Sequence, residues 1–287
     1  MTVDLTIRQH WIDRGVDRIS VQSYPEPQPD PTGPAVVVFP AMGVPAGYYR
    51  PLAEALRRAG MAVSVVDLRG TGASTPRPSR RSRYGYAELA GDVGAALDAL
   101  ADRLAGRPVV LLGHSLGGHA CLLHLASRSA TAGPHPRVDG LVLVAVGLPY
   151  RRLYRGLHRA AVVGLVESVN AVSAALGYWP GWAFGGRQSR GVVRDWAHTV
   201  RTGRFPAVAG VDGDAAAATV TTPVLAISFD RDTYTPAPTV DHLVGKLAVA
   251  PVRREHLDGD ADHFTWARSP DAVVSRVAAF AQTLPAR

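Results

Sequence analysis

The 287 residues are 47% hydrophobic and 19% charged, a balance that supports a sizeable core and excludes a disordered chain. A formal charge of +7 keeps nucleic acid and anionic membrane surfaces as partners to be weighed against motifs. The single cysteine, Cys121, excludes a disulfide framework and any multi-cysteine zinc or iron–sulfur site. Of 31 basic residues only Lys246 is a lysine, which with the Ala-, Gly- and Pro-rich remainder reads first as the codon bias of a high-GC bacterium. The N-terminus has no apolar h-region, and no uninterrupted apolar run approaches the roughly 18 residues of a membrane span. The expected address is therefore the cytoplasm, without membrane insertion.

Along the chain, residues 3–8 and 17–23 alternate as two short strands, and a Pro-rich connector over 25–34 leads into a buried apolar strand at 36–39. A helix over 49–59 stops at Gly60, a residue suited to the position after a helix C-terminus. A strand at 61–66 precedes a loop rich in Gly, Pro, Ser and Arg (67–83). Helical periodicity over 86–104 places Leu89, Val93, Ala96, Leu97 and Leu100 on one stripe. A strand at 109–112, a helix over 116–127 and a strand at 141–146 follow. Continuous apolar strands separated by helices predict an α/β fold with a mostly parallel sheet covered on both faces.

The rhythm breaks over 148–222, a segment helical at 161–176 that carries Tyr178, Trp179, Trp182, Phe184 and Trp196. It resumes with a strand at 224–229, a helix over 238–247, a strand at 249–256 and a last helix over 270–284. The expected organisation is one core (1–147 and 223–287) with a helical cap over 148–222 lying as a lid on a pocket. An extra structural helical layer is the plainer alternative.

Chemistry concentrates at Gly113-His114-Ser115-Leu116-Gly117-Gly118, a G-x-S-x-G between a strand and a helix. Such a turn forces the serine backbone into a strained conformation that only flanking glycines leave room for, and it lifts Ser115 Oγ clear of the sheet. The following helix points its positive end at that oxygen. A nucleophilic serine needs a base and an orienting acid, which in this arrangement follow in the order Ser, acid, His. Asp230 and Asp232 follow the strand at 224–229; His256 and His263 lie at and beyond the end of the strand at 249–256. Both loops sit at the C-terminal edge of the sheet, where ligands bind in parallel folds.

From about Ala35 onward the chain resembles the α/β-hydrolases. Asp67-Leu68-Arg69-Gly70-Thr71-Gly72-Ala73-Ser74 resembles the family's D-x-R-G-x-G-x-S loop. The resemblance of Asp232–Pro236 to the acid loop of esterase-like members favours Asp232 over Asp230. Asp262-His263-Phe264 resembles the catalytic-histidine segment and favours His263. Pro40-Ala41-Met42-Gly43, together with the 232–236 turn, is similar to a group of bacterial predicted hydrolases. By that alignment the oxyanion donors are the backbone N–H groups of Met42 and Leu116. Pro40-Ala41 stand where the family usually has His-Gly, and Pro40 has no N–H to offer.

Other patterns are weaker. Asp258, Asp260 and Asp262 resemble the start of a calcium loop, but His263 stands where Gly is required and Ser269 where Glu is required. His114, His119 and His124 are spaced by five and scatter around a helix, so no metal site is expected. Cys121 reads as a small buried hydrophobe. Gly70-Thr71-Gly72 lacks the Gly-Lys-Ser/Thr of a phosphate loop. The positive charge is concentrated: nine arginines against four acids over 148–222, and five against none over 69–83. That placement suggests an electropositive mouth that steers an anionic acyl substrate, set against a merely solvated arginine-rich surface.

The expected function is hydrolysis of a carboxylic ester of a small-molecule acyl substrate through an acyl-serine, with Ser115, His263 and Asp232 as the triad. No cofactor, metal or nucleic acid is expected. A thioesterase or acyltransferase would use the same acyl-serine. A non-catalytic ligand-binding protein on the same scaffold is the reading from another class.

Overall fold

A two-residue turn at Gly15-Val16, with Gly15 at φ 73°, folds the N-terminal segment into a hairpin of β1 (Arg8–Arg14) and β2 (Asp17–Ser23). The computed structural model describes residues 6–27, 33–129, 138–182, 184–208 and 210–285. The first strand expected over 3–8 lies partly outside these residues, and the observed strand begins at Arg8. The hairpin is the reason: its turn pairs Arg14 with Asp17 and carries the register back to Arg8 opposite Ser23.

The remaining elements alternate. They are β3 (Ala35–Phe39), α1 (Arg50–Arg58), β4 (Ala62–Val66), α2 (Tyr86–Ala99), α3 (Ala101–Leu104), β5 (Val109–His114), α4 (Leu116–Ser129) and β6 (Gly140–Val144). Then come α5 (Gly156–Leu176), β7 (Tyr178–Trp179), β8 (Gln188–Ser189), α6 (Arg190–Thr202) and α7 (Gly213–Ala217). The chain closes with β9 (Val224–Phe229), α8 (Ala237–Val244), β10 (Val252–Leu257) and α9 (Asp271–Ala281). The helix expected over 86–104 is interrupted at Leu100, which joins α2 to α3.

Eight strands form one sheet in the order β1-β2-β4-β3-β5-β6-β9-β10. β2 pairs antiparallel with β4; from β4 to β10 every pairing is parallel. All residues of β3, β4, β5, β6 and β9 are buried, as a sheet covered on both faces requires, and this is why these strands read as apolar runs without alternation. One face packs on α2, α4 and α7 around Val37, Leu111 and Leu143; the other packs on α1 and α9 around Val38, Leu112 and Ile227. Truncating one such residue, as in Leu111→Ala, costs about 2–5 kcal/mol in lost burial plus cavity.

The segment 148–222 divides in two. Phe205, Val208, Ala216, Ala217 and Val220 join the main core, so its C-terminal part belongs to the packed body. In its N-terminal part, α5 packs on α6 through small clusters, Val166 with Ala197 and Val200, and Val169 with Trp179 and Val193, while α6 also reaches the main core through Val192. α5 spans 21 residues with mean hydropathy 1.3 and only 17% of its apolar window buried. By length and composition alone it could cross a membrane. Counting uninterrupted apolar residues missed it because Arg159 and Glu167 break the run without lowering its average below that of a span.

Candidate active site

Ser115 stands where β5 turns into α4, with φ at 50° in the left-handed region, a conformation that costs an L-residue roughly 1–2 kcal/mol. Its neighbours allow the turn. A Cβ on Gly113 would fall 2.3 Å from Gly118 Cα, and one on Gly117 only 2.1 Å from the Phe39 carbonyl oxygen. The backbones therefore approach as only glycine permits.

Asp232 follows β9 and is tied down completely. Its Oδ1 accepts the Tyr234 and Thr235 N–H groups, each at 2.8 Å, and its Oδ2 accepts Thr235 Oγ1 at 2.5 Å and His263 Nδ1 at 2.8 Å. Burial pushes the carboxyl up, but the His263 bond and charge and the Thr235 donors outweigh it and hold its pKa below the usual range. His263 is buried, edge-on to Phe264 and tilted against Tyr234 and His114, with ring centroids 4.8, 5.1 and 5.0 Å away. Since Nδ1 donates to Asp232, the other nitrogen, Nε2, is the basic one. Ser115 and His263 line the same cavity, though no hydrogen bond joins their side chains; such contacts are often long before substrate binds.

The alternatives lie apart from this cluster. His256 bonds Ser228 Oγ at 2.7 Å and stands 4.0 Å from the largely exposed Asp230. Asp260 pairs with Arg231 on the surface. Asp262 caps the turn after it, accepting the Phe264 and Thr265 N–H groups. No group of three metal-ligating side chains occurs among the described residues. His114, His119 and His124 are all buried, as is Cys121.

The loop after β3 is set by a residue the sequence did not flag. Tyr49 Oη accepts the Ala41 N–H at 2.9 Å and lies 2.6 Å from His114 Nδ1. The phenol thus bridges the Ala41 N–H and the His114 ring. Burial, with the neighbouring His263, drives the His114 pKa well down and keeps the ring neutral. With Ala41 engaged, the Met42 N–H has no partner among the described residues, and neither has the Leu116 N–H at the start of α4. Met42, Leu116, Ser115 and His263 all line the one cavity.

That cavity holds about 320 Å³. Tyr154, His158, Ala161, Leu165, Phe184 and Trp196 close it from the cap side, and Tyr154 Oη reaches the Tyr234 carbonyl at 3.0 Å. Of the cap aromatics, Phe184 and Trp196 line the cavity and stack at 5.0 Å, Trp179 packs within the cap, and Trp182 is 74% exposed. Gly43 and Gly185 meet backbone to backbone: a Cβ on Gly43 would fall 2.3 Å from the Gly185 oxygen. The cap thus rests directly on the loop that carries Met42.

The arginines do not face this chamber; none is among its lining residues. Arg69 is buried in an ion-pair network with Asp17 and Asp92. Arg194, Arg201 and Arg204 pair with carboxylates of their own segment. Arg77 and Arg187 instead line a separate cavity of about 350 Å³ beside Gly43, Gly70 and Gly72. The expected electropositive mouth is therefore displaced from the chamber itself, because the cap turns its aromatic and aliphatic residues inward and its cations outward.

Residues 30–261 match the family described as serine aminopeptidase, S33. No curated protein matches the sequence. Among solved structures, E-2-(acetamidomethylene)succinate hydrolase is similar at 20% identity and TM-score 0.62, over 97% of this chain and all of that one. Est1E from Butyrivibrio proteoclasticus is similar at 14% identity and TM-score 0.61, over 96% and 98% of the two chains. A putative lipase from Acinetobacter baumannii gives 15% identity and TM-score 0.63, over 96% and 90%. At these identities the structures speak to fold, while the family match spans most of the chain. The chain belongs to the α/β-hydrolase superfamily and is a serine hydrolase of its S33-like branch.

Proposed function

We propose that the protein hydrolyses carboxylic esters with an uncharged, mostly apolar acyl group, through an acyl-serine formed on Ser115. The observation that carries this reading is the His263–Asp232 bond at 2.8 Å inside a chamber that Ser115 also lines from a strained turn. In this mechanism His263 Nε2 takes the Ser115 proton as Oγ attacks the ester carbonyl carbon. The carbonyl electrons move to oxygen, and the Met42 and Leu116 N–H groups hold that oxyanion; one such donor is typically worth about 100- to 1000-fold in rate. Collapse expels the alcohol, which takes its proton from the His263 imidazolium, and water then repeats the sequence to release the acid. Asp232 keeps the imidazole in the tautomer whose Nε2 can accept. The α5–α6 segment serves as the lid, and its apolar lining supplies the acyl site.

A serine-reactive fluorophosphonate tests this directly. Wild type should label and Ser115→Ala should not. Labelling that survives Ser115→Ala would remove Ser115 from its role.

A further inference from the structure

One buried polar pair in the chamber is not used by the mechanism. His119 and Tyr86 both line it, at 5% and 1% exposure. His119 lies one turn along the chain from the nucleophile, its N–H bonded to the Ser115 carbonyl at 3.3 Å, and both residues line the chamber. The His119 Nε2 sits 2.9 Å from the Gly147 carbonyl. A carbonyl only accepts, so Nε2 carries the proton. Burial lowers the pKa of this ring to about 4, so it is neutral at pH 7 and its Nδ1 presents a bare lone pair.

Only Tyr86 Oη approaches that lone pair among the described residues, and it does so at 3.5 Å. A sound O–H···N bond is shorter by more than half an ångström, so donor and acceptor are both under-bonded on a largely apolar wall of the chamber. The His119 ring is held through Nε2, and the Tyr86 backbone is anchored. Phe205 packs edge-on to His119 at 5.3 Å, and Asp195 holds the Tyr86 backbone N–H at 2.9 Å. Buried polar groups are normally satisfied, and leaving one unmet costs about 1–3 kcal/mol.

We propose that Tyr86 and His119 form a hydrogen-bonding station in the acyl chamber, and that the acyl group handled here carries a hydroxyl a few bonds beyond the ester carbonyl. A hydroxyl oxygen seated within normal bonding distance of both groups completes the chain. It accepts from Tyr86 Oη and donates to His119 Nδ1, while His119 Nε2 continues to donate to Gly147. A keto oxygen would satisfy Tyr86 alone and leave the imidazole lone pair bare, which is why the hydroxyl is the fitting group. The inference rests on the ester-hydrolase reading for its chemistry, but the station itself stands on this geometry.

The test uses p-nitrophenyl alkanoates and the same esters with one hydroxyl moved along the chain, read as the ratio of kcat/KM within each enzyme. Wild type should favour one hydroxyl position over the plain chain by roughly ten- to a hundredfold. Tyr86→Phe and His119→Leu should each bring that ratio close to one. A wild-type ratio near one at every position, or a preference that survives both substitutions, overturns the station. Calorimetry on Ser115→Ala separates this from the hydrolase reading, by titrating the preferred hydroxy acid against the matching alkanoic acid. Tighter binding of the hydroxy acid supports the station even if no ester is turned over, and equal binding refutes it.

Discussion

Tyr49→Phe removes one oxygen and leaves two buried groups unmet. Tyr49 is fully buried, and its phenol holds the Ala41 N–H and His114 Nδ1 at once. Each orphaned group costs about 1–3 kcal/mol, so the pair predicts a loss of about 3 kcal/mol when partial relaxation is allowed. For a protein of this size that is a fall of roughly 6–12 °C in Tm. The kinetic effect follows from Ala41: freed from the phenol, its peptide can rotate, and the neighbouring Met42 N–H loses its fixed aim. A donor lost outright costs about 100- to 1000-fold; one merely loosened should cost about tenfold in kcat, with KM little changed. Urea denaturation and steady-state kinetics on a short-chain ester read both quantities. A variant with wild-type stability and wild-type kcat would refute the argument that Tyr49 sets this loop.

Three further outcomes are expected. Asp232→Asn keeps an acceptor for the Tyr234 and Thr235 N–H groups but favours the wrong imidazole tautomer, so kcat should fall by about 10⁴-fold with the fold intact by circular dichroism. Arg69→Met strands the mostly buried Asp17 carboxylate and leaves buried Asp92 with Arg14 alone, and should cost about 3–5 kcal/mol in denaturant titration. The third concerns acid. His119 is neutral in the fold down to about pH 4, whereas its unfolded form takes up a proton near pH 6.5. Its contribution to stability is therefore present above pH 6.5 and falls, by about 3 kcal/mol in all, as pH drops to 4. His119→Gln should flatten the slope of stability against pH across that window, and an unchanged slope would remove His119 as its source.

How much of this was legible in the sequence depended on the range of the contacts. The Ser115 turn was readable because its constraint is local: the glycines that must give way sit within a few residues of the serine. The parallel sheet was readable because burial on both faces writes continuous apolar runs. Tyr49 and Tyr86 were not, since their side-chain partners lie 65 and 33 residues away and nothing in their local pattern marks a tyrosine as a clamp. The first strand was misplaced because β1 is an edge strand of mixed polarity, Arg-Gln-His-Trp-Ile-Asp-Arg, whose register is fixed by its turn and not by its own hydrophobicity. The charge was visible, but its direction was not: whether an arginine on the cap faces the chamber or the solvent depends on which side of α5 and α6 packs down.

The contact between Gly43 and Gly185 makes the cap and the oxyanion loop mechanically continuous. Two peptide planes lie against each other with no side chain between them to absorb a displacement. Under the proposed role of the Met42 N–H, a displacement of this segment at the contact would carry one of the two oxyanion donors with it. The same contact limits how the cap can be exchanged: a segment transplanted from a relative would transmit its own resting position to the loop, unless it too arrives with bare backbone at that point.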